Sequence, residues 1–243
     1  MNRIRIRLLF LLAVIVLLCM GCGIESYIYL YPIKQYLNWP SSDDTYNYFS
    51  FKTSDAANIE NYANGYFKGC EVFYRIYNST SARDSDYSAI SSYTSNDEDN
   101  DSTPSANAYS YLINTKSYVR MTCQNRQETP LIPASTDSSN QIVSIRLYAA
   151  TSAYTEEITI NDTSYGLALR TIDGISKDAA EYTFDYDEID KNDSDVKYST
   201  STSNDAEGKW YVVAYAMAWG YDESFQNLYS VPYYLGYVTI SDD

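Results

Sequence analysis

Lys209-Trp210-Tyr211-Val212-Val213-Ala214-Tyr215-Ala216-Met217-Ala218-Trp219-Gly220 is the stretch that decides the fold. Aromatic and β-branched residues dominate it, and such side chains suit a pleated, half-buried surface. It reads as a strand ended by a turn glycine. Two runs of the same character stand apart from it, Tyr66–Tyr77 and Tyr233–Ile240. Further strands are predicted at Tyr27–Tyr31, Tyr46–Lys52, Tyr109–Ile113, Ser117–Cys123, Ile142–Ala149, Glu156–Ile160, Tyr165–Ile172 and Glu181–Tyr186. Ser, Asn, Asp, Gly and Pro clusters separate them, as turn formers do. Only Ala56 to Asn64 suggests a short helical turn. Many short strands without intervening helices predict an all-β fold, an antiparallel β-sandwich.

Composition narrows the chemistry. The chain has 243 residues, 32 acidic against 17 basic, no histidine, and 28 tyrosines. Without histidine there is no Ser-His-Asp or Cys-His relay and no imidazole metal ligand. A net charge of −15 argues against nucleic-acid binding, which draws its affinity from clustered Lys and Arg. Hydrophobic residues make up 45% of the chain, enough to bury a core and unlike a disordered acidic tail.

The N-terminus reads as an address. Arg3, Arg5 and Arg7 precede an apolar run from Leu8 to Met20, which meets Gly21-Cys22-Gly23. A basic start, a short apolar stretch and a small residue at the junction describe an export signal over residues 1–21. The run is shorter than the roughly 20 apolar residues a transmembrane span needs. Cleavage before Cys22 removes three arginines and no acid, so the remaining 222 residues carry −18. They are expected to form one domain, 22–243, because no Pro/Gly linker divides them. Asn78 to Asn107, Thr136 to Gln141 and Asp185 to Gly208 are rich in Ser, Asn and Asp. They are expected as long polar surface loops.

Leu18-Cys19-Met20-Gly21-Cys22 resembles a bacterial lipobox, in its relaxed spirochaetal form. Leu18 stands one place earlier than the usual leucine. The resemblance implies cleavage after Gly21 and acylation of Cys22, with the membrane as a partner through that lipid. Several acyl chains on one cysteine make a stable anchor. Cys19 is a poorer candidate, because Leu17-Leu18 precede it. An ordinary signal cut near Gly21 or Gly23 would instead leave a soluble secreted protein.

Two further resemblances follow. Tyr66-Phe67-Lys68-Gly69-Cys70-Glu71-Val72-Phe73-Tyr74-Arg75-Ile76-Tyr77 resembles the central C strand of a fibronectin type III or immunoglobulin-like domain. Lys209–Gly220 then resembles its F strand, and Tyr233–Ile240 the strand that closes the sheet. The expectation is an elaborated immunoglobulin-like sandwich with long insertions. Trp210 departs from the tyrosine usual at the head of the F strand. The start Cys22-Gly23-Ile24-Glu25, the segment Tyr27-Ile28-Tyr29-Leu30-Tyr31-Pro32 and the Gly69–Tyr77 strand are similar to treponemal-like surface lipoproteins. That likeness implies a lipid-anchored cell-envelope protein, with outer-membrane sorting favoured by the uncharged Gly23. It brings no activity with it.

Cys70 alternates with Val72, Tyr74 and Ile76, and Cys123 with Val119 and Met121. Both are expected to point into the core. An exported protein permits a Cys70–Cys123 disulfide, and two buried thiols are the alternative. Paired carboxylates, Asp185/Asp187 or Glu156/Glu157, are the one catalytic option left, and they read better as solvated charge. Asp190-Lys191-Asn192-Asp193-Ser194-Asp195 spaces its oxygens like a calcium loop, but Asp195 replaces the required glycine and Ser201 the closing glutamate. It reads as a flexible acidic loop, with no metal or cofactor. Tyr31, Tyr74 and Tyr215 are expected in the core. Tyr87, Tyr93, Tyr109 and Tyr154 are expected on loops, in the company of Ser, Asn and Asp that adaptable binding surfaces use. The functional expectation is therefore non-enzymatic: a lipid-anchored binding or adhesion module meeting a protein or glycan. A structural scaffold is the alternative, as is a carbohydrate-binding module using Trp39, Trp210 or Trp219.

Overall fold

The computed structural model describes residues 28–33, 35–53, 58–94, 107–135, 141–176, 182–200 and 208–242. The expected export signal over 1–21, Cys22, the acidic run 96–101 and the tract 201–207 lie outside the described residues.

The Lys209 stretch forms the centre. β14 (Lys209–Tyr221) pairs antiparallel along one side with β3 (Phe67–Tyr77). On its other side it pairs with β15 (Asn227–Tyr229) and β16 (Tyr233–Ser241). Short strands complete the sheet beside β3: β4 (Val119–Arg120), β6 (Ile132–Pro133) and the parallel β13 (Val196–Lys197). A second sheet runs in the order β1 (Tyr36–Asn38), β2 (Phe49–Lys52), β7 (Ile142–Arg146), β8 (Glu157–Ile160) and β9 (Thr163–Ser164). Two small ribbons lie between, β5 (Thr122–Cys123) with β10 (Ala168–Leu169), and β11 (Thr171–Ile172) with β12 (Ile175–Ser176). The architecture is the all-β sandwich expected, and the order β16-β14-β3 places the three long runs side by side.

Alternation builds the inner core. Val72, Tyr74 and Ile76 of β3 and Val212, Ala214 and Ala216 of β14 share one cluster with Phe49, Phe51, Val143, Ile145, Ile158 and Ile160 of the second sheet. The opposite face of β3 and β14 is covered as well. Phe73, Tyr77, Val213, Tyr215 and Met217 pack against Ile90, Leu112 and Tyr118. Burial on both faces explains why β14 is a nearly continuous apolar run instead of a strict alternation.

The cover on that outer face is helical. α1 (Ile59–Ala63) fits the expected short turn, and α2 (Thr80–Thr94) follows β3 directly. Residues 107–110 are helical and run into a π turn, Tyr111–Thr115. Two expectations are corrected here. Residues 80–94 are a helix within what reads as a polar loop, and Tyr109–Ile113 is helical where an alternating strand is expected. Ser79 starts α2: its hydroxyl accepts from Ala82 N at 3.3 Å, an N-cap. The side chains that α2 buries are Arg83, Asp86 and Ile90, spaced as one helical face. Two other predicted strands do not form. Residues 28–31 are not strand, and within Glu181–Tyr186 the described residues include only a tight turn beginning at Tyr186.

Residues 28–33 are held by side chains. Tyr31 N donates to Asn58 Oδ1 at 3.0 Å and Tyr31 O accepts from Asn58 Nδ2 at 2.8 Å. Asn61 Nδ2 donates to Tyr29 O at 2.7 Å. Leu30 and Ile33 are buried in the inner core. This asparagine clamp fixes the point where the chain enters the fold.

Candidate functional surface

Four aromatic rings make a continuous strip across the edge of β16. Tyr36 and Trp39 meet at 5.5 Å, Trp39 and Tyr234 at 5.5 Å, and Tyr234 and Tyr87 at 4.5 Å. The relative exposures of Tyr36, Trp39 and Tyr87 are 52%, 47% and 40%. Leu37 and Tyr46 are also exposed; Asn38 Nδ2 donates to Tyr46 O at 3.0 Å. The local backbone creates the strip. Gly236 has φ +99°, and a Cβ there would stand 2.9 Å from Pro40 Cδ, so only glycine lets the Trp39-Pro40 corner lie over β16. The register shift between Ala214 and Tyr215 falls at the same place, as a bulge that re-aims a side chain does.

The rings are not coplanar. Tyr36/Trp39 and Trp39/Tyr234 are inclined at 68° and 70°. Beneath them the stack continues inward through Tyr215, 5.2 Å from Tyr234, to Tyr118 at 5.3 Å. Beside the strip the Arg83 guanidinium lies 3.8 Å over the Tyr237 ring, a cation–π contact. Burial comes first in raising the Tyr234 phenol above its ordinary value, so it stays a neutral donor at physiological pH.

Two buried ionic networks brace the surroundings. Asp86 of α2 accepts from Lys116 Nζ at 2.7 Å, Lys197 Nζ at 2.6 Å and Tyr77 OH at 3.0 Å. Burial alone would raise its carboxyl; the two lysines override that and hold it below the usual aspartate value. On the other side of β3, Arg170 is fully buried. It donates to both oxygens of Asp195 at 2.9 and 2.7 Å, to Asp193 at 2.7 Å and to Glu188 O at 2.8 Å. Tyr74 OH also donates to Asp195, at 2.6 Å. This corrects the reading of a flexible acidic loop over Asp190–Asp195. The oxygens spaced as for calcium are held by a guanidinium, and Asp190 instead receives Asn192 N at 2.8 Å.

The other sequence candidates fall as follows. Trp210 and Trp219 are buried, leaving Trp39 as the exposed member of the three. Tyr87 and Tyr93 are exposed as expected, whereas Tyr109 is half-buried and stacks on Tyr229 at 3.9 Å. Tyr154 is half-buried under Arg146 at 4.3 Å. Tyr74 and Tyr215 are core; Tyr31 is half-buried. Asp185 caps a tight turn, accepting from Asp187 N at 3.4 Å. Glu156 accepts from Ala149 N at 3.2 Å, and its carboxyl is raised first by burial and then by Asp185. Cys70 and Cys123 are both buried free thiols, the alternative to a Cys70–Cys123 bridge. Each thiol donates to its own carbonyl at 3.2 Å, Cys70 to Thr53 O and Cys123 to Arg126 O.

Sequence reasoning missed Tyr36, Tyr234 and Arg83. For Tyr36 the nearby Trp39-Pro40 was the available signal, because a strand segment that ends in proline suits a sheet edge; nothing adjacent in sequence marked Tyr234 or Arg83. Comparison with protein-family models, curated proteins and solved structures found no match to this chain.

Proposed function

We propose that the chain is a lipid-anchored envelope protein, held through Cys22, that acts as a non-enzymatic binding or adhesion module. Its contact surface is the strip Tyr36, Trp39, Tyr234 and Tyr87. The carrying observation is that three exposed rings, Tyr36, Trp39 and Tyr87, are joined through the half-buried Tyr234. Trp and Tyr are enriched at the energetic centres of protein interfaces, and the strip presents both. The inclination of the rings favours a protein partner over a sugar. A glycan platform needs flat rings presented side by side, whereas rings near 70° to each other make a ridged surface.

A photo-crosslinker placed at Leu37 of the full chain in its native envelope tests this reading. The expected result is a covalent adduct with one protein partner, lost when Trp39→Ser is combined with it. No adduct, or an adduct equally abundant with Trp39→Ser, refutes it.

A further inference from the structure

The most exposed aromatic among the described residues is not part of the strip. Phe225 sits at the tip of the loop between β14 and β15 with a relative exposure of 82%. Its φ is +59°, a conformation in which a bulky residue is an outlier. The loop holds it there: Phe225 N donates to Asp222 O at 3.0 Å, and Asp222 Oδ1 accepts from Ser224 N and Gln226 N, each at 2.8 Å. The ring is thus kept in water by a built turn, at a conformational cost and with nothing gained in the core.

The surroundings complete the pattern. Phe225 borders a cleft of about 390 Å³ lined also by Tyr66, Tyr221, Lys68 and Asn64. Its floor is a close backbone approach: Tyr221 N donates to Tyr66 O at 2.9 Å, and a Cβ on Gly220 would fall 1.7 Å from that oxygen. Ile59, at the start of the helix that leads to Asn64, is also exposed. An apolar tip, tyrosines at the rim and a lysine with a long stem are the side chains that settle at a bilayer interface.

Position decides the occupant. The clamp joins Tyr29 to Asn61 of α1, and Asn64, one helical turn on, lines the cleft. Chain entry and cleft therefore share one end of the molecule. Ile28 is only six positions after Cys22, a reach of at most about 20 Å. An acyl chain on Cys22 holds this end, and no other, close to the lipid. The far end of β3 at Tyr77, where it meets Lys197, is about 35 Å away along an eleven-residue strand.

We infer that the Phe225 tip, with Tyr66, Tyr221 and Lys68, is a second membrane contact that inserts into the headgroup region beside the lipid anchor. The inference rests on the proposed acylation of Cys22. The lipid is one of zwitterionic headgroups, because Glu60, Glu223 and the chain's large negative charge repel an anionic leaflet.

The test uses the full-length lipidated chain in phosphatidylcholine vesicles. A polarity-sensitive maleimide dye is placed by Phe225→Cys, or by Tyr198→Cys at the opposite end of the fold. Cys70 and Cys123 do not compete, being buried with thiols raised first by that burial. Flotation with the vesicles is read first. The expected result is flotation of both proteins, a blue shift at 225 with quenching by brominated acyl chains, and neither at 198. Flotation with a water-like dye at 225 overturns the inference and leaves the anchor standing. A blue shift at both sites also overturns it, since the molecule would then lie along the surface. Failure to float refutes the anchor and the inference together.

Discussion

Asp86 shows what a single side chain contributes. It is buried, yet two lysines and a tyrosine hydroxyl satisfy it, and it joins α2 to β13 and to the turn after residue 115. Breaking such a pair leaves buried charge without compensation. Asp86→Asn is expected to destabilise the fold by about 3 kcal/mol at pH 7. The sign of the pH dependence follows from its lowered carboxyl value. The stabilisation is fully present above the unfolded aspartate value of about 3.9 and is lost as pH falls through the folded one. Urea midpoints of the two proteins should therefore lie farther apart at pH 7 than at pH 3. A gap that does not narrow refutes the assignment. None of these partners was legible in the sequence: Lys116 is 30 residues from Asp86 and Lys197 is 111. Spacing carries no information about charges that meet only after folding.

At the scale of elements, the long strands were readable and the helical layer was not. Tyr66–Tyr77, Lys209–Trp219 and Tyr233–Ile240 differ from β3, β14 and β16 by at most two residues at an end. Their aromatic and β-branched content speaks for itself. α2 hid because the face it buries is Ser79, Arg83, Asp86 and Ile90. Helical spacing is present, but three of the four are polar, so no apolar stripe marks it. In the second helical segment Tyr109, Tyr111 and Ile113 alternate like a strand, while the residues it buries are Ala108 and Leu112, four apart. Ile90→Ala tests whether this layer is integral. It should cost about 3 kcal/mol, as truncating a buried isoleucine does, and should lower hydrogen-exchange protection in both helical segments. A loss under about 1 kcal/mol, typical of surface sites, would mean that the helices merely rest on the sheet.

For the whole molecule, the all-β architecture was legible in the sequence, whereas the aromatic strip was not. The strip joins residues from β1, its following corner, α2 and β16, which no local window contains. The address makes its own prediction. Cells fed labelled palmitate should incorporate it into this protein, and Cys22→Ala should abolish the label. Label retained in that variant would refute acylation at Cys22. The net charge has a consistent place at this scale. Some of the acid is tied to cations or backbone: Asp193 and the buried Asp195 to Arg170, and Asp222 to the amides of Ser224 and Gln226. What remains solvated keeps the body off anionic surfaces.

The asparagine clamp has a mechanical consequence. Tyr29, where Asn61 grips the chain, lies only ten residues before Trp39. When a partner on the strip is pulled against a tether at Cys22, the line of force passes through that short segment and β1, an edge strand. If the clamp and β1 yield, the chain from 22 to 39 can straighten over roughly 60 Å, at the cost of the core contacts of Leu30 and Ile33. Under tension the N-terminal segment is then the part of the path that can lengthen first, as a fuse does.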